Sequence, residues 1–182
     1  EAFKSDASVL SIEELLYAAT LVKSDNEKVA IYKKAASLYS NDYRPYNNMA
    51  EIAMKAANYN EAKSLLQKAA KLNPSAAEVN TNLGMLALID GNVAEAEKYL
   101  LKGTDSKENA AALGNLYVAQ GQYDRAVKAF GDTKSNAAAL AQIMSKNYTA
   151  AKNTLSQVEK ADAYTYYLNA IVGARTNNAT MV

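Results

Sequence analysis

Apolar residues recur along the chain at spacings of three and four, the period of an amphipathic helix, and the recurrence itself repeats. Four stretches carry it: "ANYNEAKSLL" at 57–66, "GNVAEAEKYL" at 91–100, "GQYDRAVKAF" at 121–130 and "KNYTAAKNTL" at 146–155. Set on their shared alanines (Ala62, Ala96, Ala126 and Ala151), they are 34, 30 and 25 residues apart. Four residues on stands Leu66, Leu100, Phe130 or Leu155, and three residues before stands Tyr59, Val93, Tyr123 or Tyr148. That spacing keeps all three on one helical face. Twelve residues upstream of the first three alanines lie Ala50, Gly84 and Gly114, each preceded by Met49, Leu83 or Leu113, which predicts a second helix in each unit. A more worn copy stands earlier, with Leu15, Leu16, Ala19, Tyr32 and Ala35.

The junctions are also predicted. Gly91 and Gly121 fall where the first helix should end in a left-handed residue. Asn58, Asn92 and Asn147 suit such turns, and Pro74 should stop a second helix. The fourth of these turns has Lys146-Asn147 and no glycine. Gly84, Gly114, Ala62, Ala96 and Ala126 are small enough to let paired helices approach closely, with Tyr and Leu filling the space between units.

A period of 34 with L-G-x-x-Y (Leu113, Gly114, Tyr117), A-x-x-x-F (Ala126, Phe130) and a terminal Pro74 resembles the tetratricopeptide repeat, or TPR. Tyr46, Met49, Ala50, Leu66 and Ala69 extend the match in one unit, and Gly91, Ala96 and Leu100 in the next. The resemblance implies an all-α, right-handed α-solenoid of about five TPR-like helix pairs, the last incomplete. As one array, its units are 9–42, 43–76, 77–106, 107–133, 134–160 and a partial 161–182. "KGTDSKEN" and "GDTKSN" compress the later units and shorten their helices. "AYTYYLNAIVGARTNN" (163–178) reads as one more first helix with Asn177-Asn178 as its turn, so the natural chain is expected to continue past Val182.

The same resemblance places ligand-facing side chains on the first helices, which line a concave face. Carried onto this chain, those positions hold Glu13 and Tyr17, then Arg44, Asn47, Asn48 and Glu51, then Glu78, Thr81, Asn82 and Met85, and last Glu108, Ala111 and Asn115. Asn47, Asn82 and Asn115 are suited to hydrogen-bonding an extended peptide backbone, since an amide both donates and accepts; the alternative is that they only solvate the groove or support a helix turn. A TPR subclass clamps a C-terminal carboxylate with Lys and Arg, but the matching places here hold Glu13, Tyr17, Glu78 and Asn82, and two carboxylates would repel an anionic tail. Tyr164, Tyr166 and Tyr167 are a stacking platform for sugar or peptide on one reading; at helical spacing, packing between helices is the expectation. Glu13-Glu14 are adjacent and face apart on a helix, so they read as a solvated helix start. "NYT" (147–149) and "NAT" (178–180) match the N-glycosylation pattern, which is short enough to occur by chance.

Composition narrows the chemistry. The 182 residues carry a net charge of +1 with both signs interspersed, which offers no basic face for nucleic acid. Cys and His are both absent, which removes thiolate chemistry, Cys or His metal ligation and the usual proton shuttle near neutral pH. No pair of residues is set as acid/base or nucleophilic work demands, so neither enzyme, cofactor nor metal is expected. The longest apolar stretch, "LGMLALI" at 83–89, is far short of a membrane span. The chain opens "EAFKSDASVL" without Met or signal peptide, so it is expected to begin downstream of its natural start.

"SDASVLSIEELLYAATL", "NDYRPYNNMAEIA", "GNLYVAQGQYDRAVKAFGD" and "YYLNAIVGARTNNATMV" are similar to the C-terminal part of a family of large envelope proteins from anaerobic Gram-negative gut bacteria. Its members resemble lipoproteins with a signal sequence, an OmpA-type peptidoglycan-associating middle region and a TPR tail. The resemblance implies a periplasmic or outer-membrane-associated location. The leading expectation is a non-enzymatic scaffold holding a protein or peptide partner. The rivals are a module for glycan or cell-wall fragments and a structural spacer.

Overall fold

The computed structural model describes residues 10–103 and 106–176, and the described residues are all-helical. Eleven helices appear among them. They run α1 (Ile12–Leu21), α2 (Asp25–Leu38), α3 (Arg44–Lys55), α4 (Tyr59–Leu72), α5 (Ala77–Ile89), α6 (Val93–Leu100), α7 (Lys107–Ala119), α8 (Tyr123–Phe130), α9 (Asn136–Met144), α10 (Tyr148–Leu155) and α11 (Ala163–Arg175). The chain divides into two compact units, Glu1–Gly103 and Thr104–Val182. In each unit successive helices pack on one another, and a first helix also meets the next first helix: α3 with α5, α7 with α9, and α9 with α11. Among the described residues no helix is long and apolar enough to cross a membrane.

Helix starts follow from the sequence. Ser11 and Glu14 form a reciprocal capping box on α1, and Asp162 with Thr165 does the same on α11. Such a cap satisfies amides that have no partner within the helix. Asn92, Ser106, Ser135 and Asn147 each accept a hydrogen bond from the backbone N–H three residues on. Pro74 lies just beyond the end of α4, as expected.

The four repeated phrases begin at one recurring turn. In each, a backbone N–H reaches five residues back: Asn58 to Ala53, Asn92 to Ala87, Gln122 to Tyr117 and Asn147 to Gln142, all at 2.8 Å. The residue before each donor is left-handed, with φ of 58° at Ala57, 74° at Gly91, 71° at Gly121 and 61° at Lys146. Glycine adopts that conformation without steric cost, whereas Ala57 and Lys146 must hold a Cβ against the following carbonyl. The turn thus closes at 146–147 with no glycine at all.

Past the turn, the second helix closes onto a bare stretch of the first. A Cβ built on Gly84 would lie 2.6 Å from Leu100 Cγ, and one on Gly114 would lie 2.6 Å from the Phe130 ring. These glycines are seats for the large residues four positions after Ala96 and Ala126. In the first unit Leu15, Leu66, Leu100 and Val79 are fully buried, each stabilising by about 1.5–3 kcal/mol relative to exposure. The second unit builds a core from Ala139, Ile143, Ala151, Leu155, Leu168 and Val172.

The expected packing role of the tyrosines on α11 is corrected here. Tyr164, Tyr166 and Tyr167 are 43%, 68% and 60% exposed, and the Tyr164 and Tyr167 rings stack on each other at 6.1 Å. The buried stripe of α11 is Thr165, Leu168, Val172 and Gly173, so the tyrosines fall on the other faces. Asn177-Asn178 and the "NAT" motif lie outside the described residues.

Gly84→Ala and Gly114→Ala are each expected to lower stability by about 1–3 kcal/mol through overpacking. Lys146→Gly should raise it by about 0.5–1 kcal/mol, as relief of the Cβ contact outweighs the added freedom of the unfolded chain. Urea or thermal unfolding midpoints check both, and the opposite order would contradict this geometry.

Candidate functional site

Most of the predicted site residues lie in the first unit, on α1, α3 and α5, and side-chain hydrogen bonds join those three helices. From α1, Glu13 accepts from Arg44 Nη1 at 2.8 Å. Arg44 also pairs with Asp42 at 2.7 Å, and the Asp42 carboxylate accepts from the Arg44 backbone N–H at 2.9 Å. From α5, the Asn82 amide donates to Asn47 Oδ1 at 2.9 Å and to Glu51 Oε1 at 3.1 Å. Asn47 donates in turn to the same Glu51 oxygen at 3.0 Å. Tyr43, just ahead of α3, donates its hydroxyl to Glu78 of α5 at 2.7 Å. Two of these bonds, Tyr43 to Glu78 and Asn47 to Asn82, span 35 residues each, close to one repeat period.

The environments differ along this row. Asn47 is only 2% exposed, so its amide serves the lattice internally. Thr81 is buried as well, and its hydroxyl bonds to Ala77 O one turn back. Asn48, Glu51, Asn82 and Met85 are half-buried, Glu78 is exposed, and Tyr17 is 65% exposed. Asn115 is exposed on α7 in the second unit. Asn147, of the "NYT" motif, caps α10 through its side chain.

Protonation follows the contacts. The hydrogen bonds from Arg44 hold the Asp42 carboxyl below its usual range. The same bonds raise the Arg44 pKa, the contribution of Asp42 exceeding that of Glu13. Tyr43 is pushed up to about 12, first by burial and then by its bond to Glu78. Burial likewise raises Tyr32, whose phenol sits beside Asn48. With Arg44 already bound to two carboxylates, its guanidinium is not available as a clamp for an anionic tail.

Sequence reasoning missed Asp42, Tyr43 and Tyr32. Asp42 had a readable signal, because an Asp two residues ahead of a helix that opens Arg-Pro commonly accepts a backbone N–H. Tyr43 had none beyond its aromatic character, and Tyr32 was marked only by its place in the worn repeat copy.

The helix pairs, their turns and their small-residue seats make a pattern that can be set beside known proteins. Residues 47–111 and residues 108–131 each match a family model described as tetratricopeptide repeat. Together the two matches span residues 47–131. Among solved structures, PilF of Pseudomonas aeruginosa aligns with a TM-score of 0.78 at 12% identity, covering 93% of this chain and 86% of that one. PilW, a type IV pilus biogenesis factor, aligns at 0.67 with 18% identity, covering 93% and 88%. YrrB, described as a TPR protein with an unusual peptide-binding site, aligns at 0.63 with 20% identity, covering 82% and 86%. At these identities the likeness is one of fold. No curated protein sequence matches the chain. Among the described residues no group of three or more Asp and Glu side chains is placed to hold a metal ion.

The lattice predicts a pH dependence. Asp42 titrates lower in the folded state, so its contribution is fully present above its unfolded pKa of about 3.9 and is lost as pH falls through the folded value. Asp42→Asn should therefore flatten the loss of stability on acidification below about pH 4, measured by urea unfolding across a pH series. An unchanged slope would show that the Arg44 pair carries none of it.

Proposed function

We propose that the first unit is a peptide-binding TPR surface with a scaffolding and not a catalytic role, and that the face shared by α1, α3 and α5 receives an extended segment of a partner protein. The observation that carries this reading is the hydrogen-bonded lattice across the three first helices. Ordering polar side chains before a partner arrives reduces the cost of binding. Here Asn47 fixes Glu51 and Asn82, leaving half-buried amide and carboxylate groups on a face whose flanking helices also carry Tyr17 and Met85. Such a row suits a peptide backbone, which needs donors and acceptors in alternation. The peptide-binding site described for YrrB, on a similar fold, is in keeping with this use.

An envelope location is part of the proposal. It rests on the similarity in wording to envelope lipoproteins with an OmpA-like region, and the folds of PilF and PilW are in keeping with it. A second reading has one observation in its favour: the exposed tyrosines of α11 suit stacking against a sugar ring.

Selection of displayed random peptides against the full chain tests the main reading. Peptides should be recovered that bind the native chain, and Tyr17→Ala combined with Met85→Ala should weaken them about tenfold or more. The folded state should be kept, because Tyr17 and Met85 lie outside the buried core. Recovered peptides that instead lose binding with Tyr164→Ala and Tyr167→Ala, or recovery of none, would sink it.

A further inference from the structure

Between the C-terminal end of α1 and the middle of α3 lies a cavity of about 330 Å³, with α2 contributing one wall. It sits at the lower limit of ligand-pocket volumes, which suits one side chain and not a drug-sized molecule. Ala19 and Ile52 give it an apolar portion, while Tyr32, Asn48 and Glu51 give it a polar one. Glu51 is the unusual member. Both of its hydrogen bonds, from Asn47 and Asn82, fall on Oε1. Among the described residues it makes no ion pair and no other hydrogen bond, so Oε2 is left to the pocket. A half-buried carboxylate oriented by two neutral amides and in no ion pair offers a charge-assisted hydrogen bond to a cationic ligand group.

The rim carries cations too. Lys28 is paired with Asp25 at 3.6 Å and Lys55 is exposed, whereas Glu51 is in no ion pair among the described residues. We propose that this cavity is the anchor of the peptide surface and takes an arginine side chain of the bound segment. The planar guanidinium presents donors in a fixed fork, which can reach Glu51 Oε2 together with the phenol and amide oxygens of Tyr32 and Asn48. Its aliphatic stem lies along Ile52. A lysine, with a compact and strongly hydrated charge, fits these divided acceptors less well. The exposed Lys55 favours an acidic residue next to the arginine in the partner.

This inference rests on the peptide-binding reading, and the two can fail separately. The peptides recovered by selection against the full chain are resynthesised with their arginine replaced by lysine and by citrulline, which keeps the shape and removes the charge. Each is titrated against the native chain and against Glu51→Gln, which retains an acceptor for Asn47 and Asn82. The expected result is arginine enriched at one position, about tenfold or greater weakening by citrulline, a smaller loss with lysine, and no discrimination among the three in Glu51→Gln. Peptides that depend on Tyr17 and Met85 but show no arginine preference, or whose preference survives Glu51→Gln, would overturn the anchor and leave the peptide surface standing. Recovery of no peptide dependent on Tyr17 and Met85 would remove both.

Discussion

The fit of one large side chain onto a bare glycine backbone is the constraint on which the pairs α5–α6 and α7–α8 depend. Leu100 closes onto Gly84 and Phe130 onto Gly114 at distances that leave no room for a methyl group. Neither α6 nor α8, at eight residues each, is long enough to be stable alone. The approach is made available by the turn before it, where a left-handed residue reverses the chain and a backbone N–H reaches five residues back. Seat and turn cooperate: the turn sets where the second helix begins, and the seat decides how near it comes. Once the pairs are set, first helices meet first helices, and the polar lattice of α1, α3 and α5 can form.

That lattice shows how a repeat protein turns periodicity into a surface. A residue and its counterpart about one period later come side by side on adjacent first helices, as Asn47 and Asn82 do. Polar residues at such positions then bond to each other before they bond to anything else. Asn47 illustrates the result: its amide is buried and it organises Glu51 and Asn82. The groups left accessible are the ones it holds in place. In the compressed second unit the matching amide, Asn115, is exposed. The candidate surface is accordingly a property of the first unit.

Much of the fold was legible because it rests on features that sequence records directly. Spacing of three and four gave the helices, glycine gave two of the four turns, and Pro74 gave a helix end. Ala57 and Lys146 were harder, because residues that disfavour a left-handed backbone adopt it there when the packing on either side requires it. The tyrosines of α11 misled for a related reason: helical spacing marks which residues share a face but does not say whether a neighbouring helix covers it. At the candidate site, column positions pointed to Arg44, Glu51 and Asn82, yet sequence could not tell a side chain left accessible from one spent on its neighbours. That distinction depends on burial and hydrogen-bond partners, which arise only once α1, α3 and α5 are placed side by side.

The central claim is that the face joined by this lattice is where a partner segment lies. Backbone amide chemical shifts of isotopically labelled full chain, followed while a selected peptide is added, test it most directly. The account predicts saturable shifts concentrated in residues 12–21, 44–55 and 77–89, with smaller changes at the turns behind them. Shifts confined to α4 and α6, or to the tyrosines of α11, would contradict it.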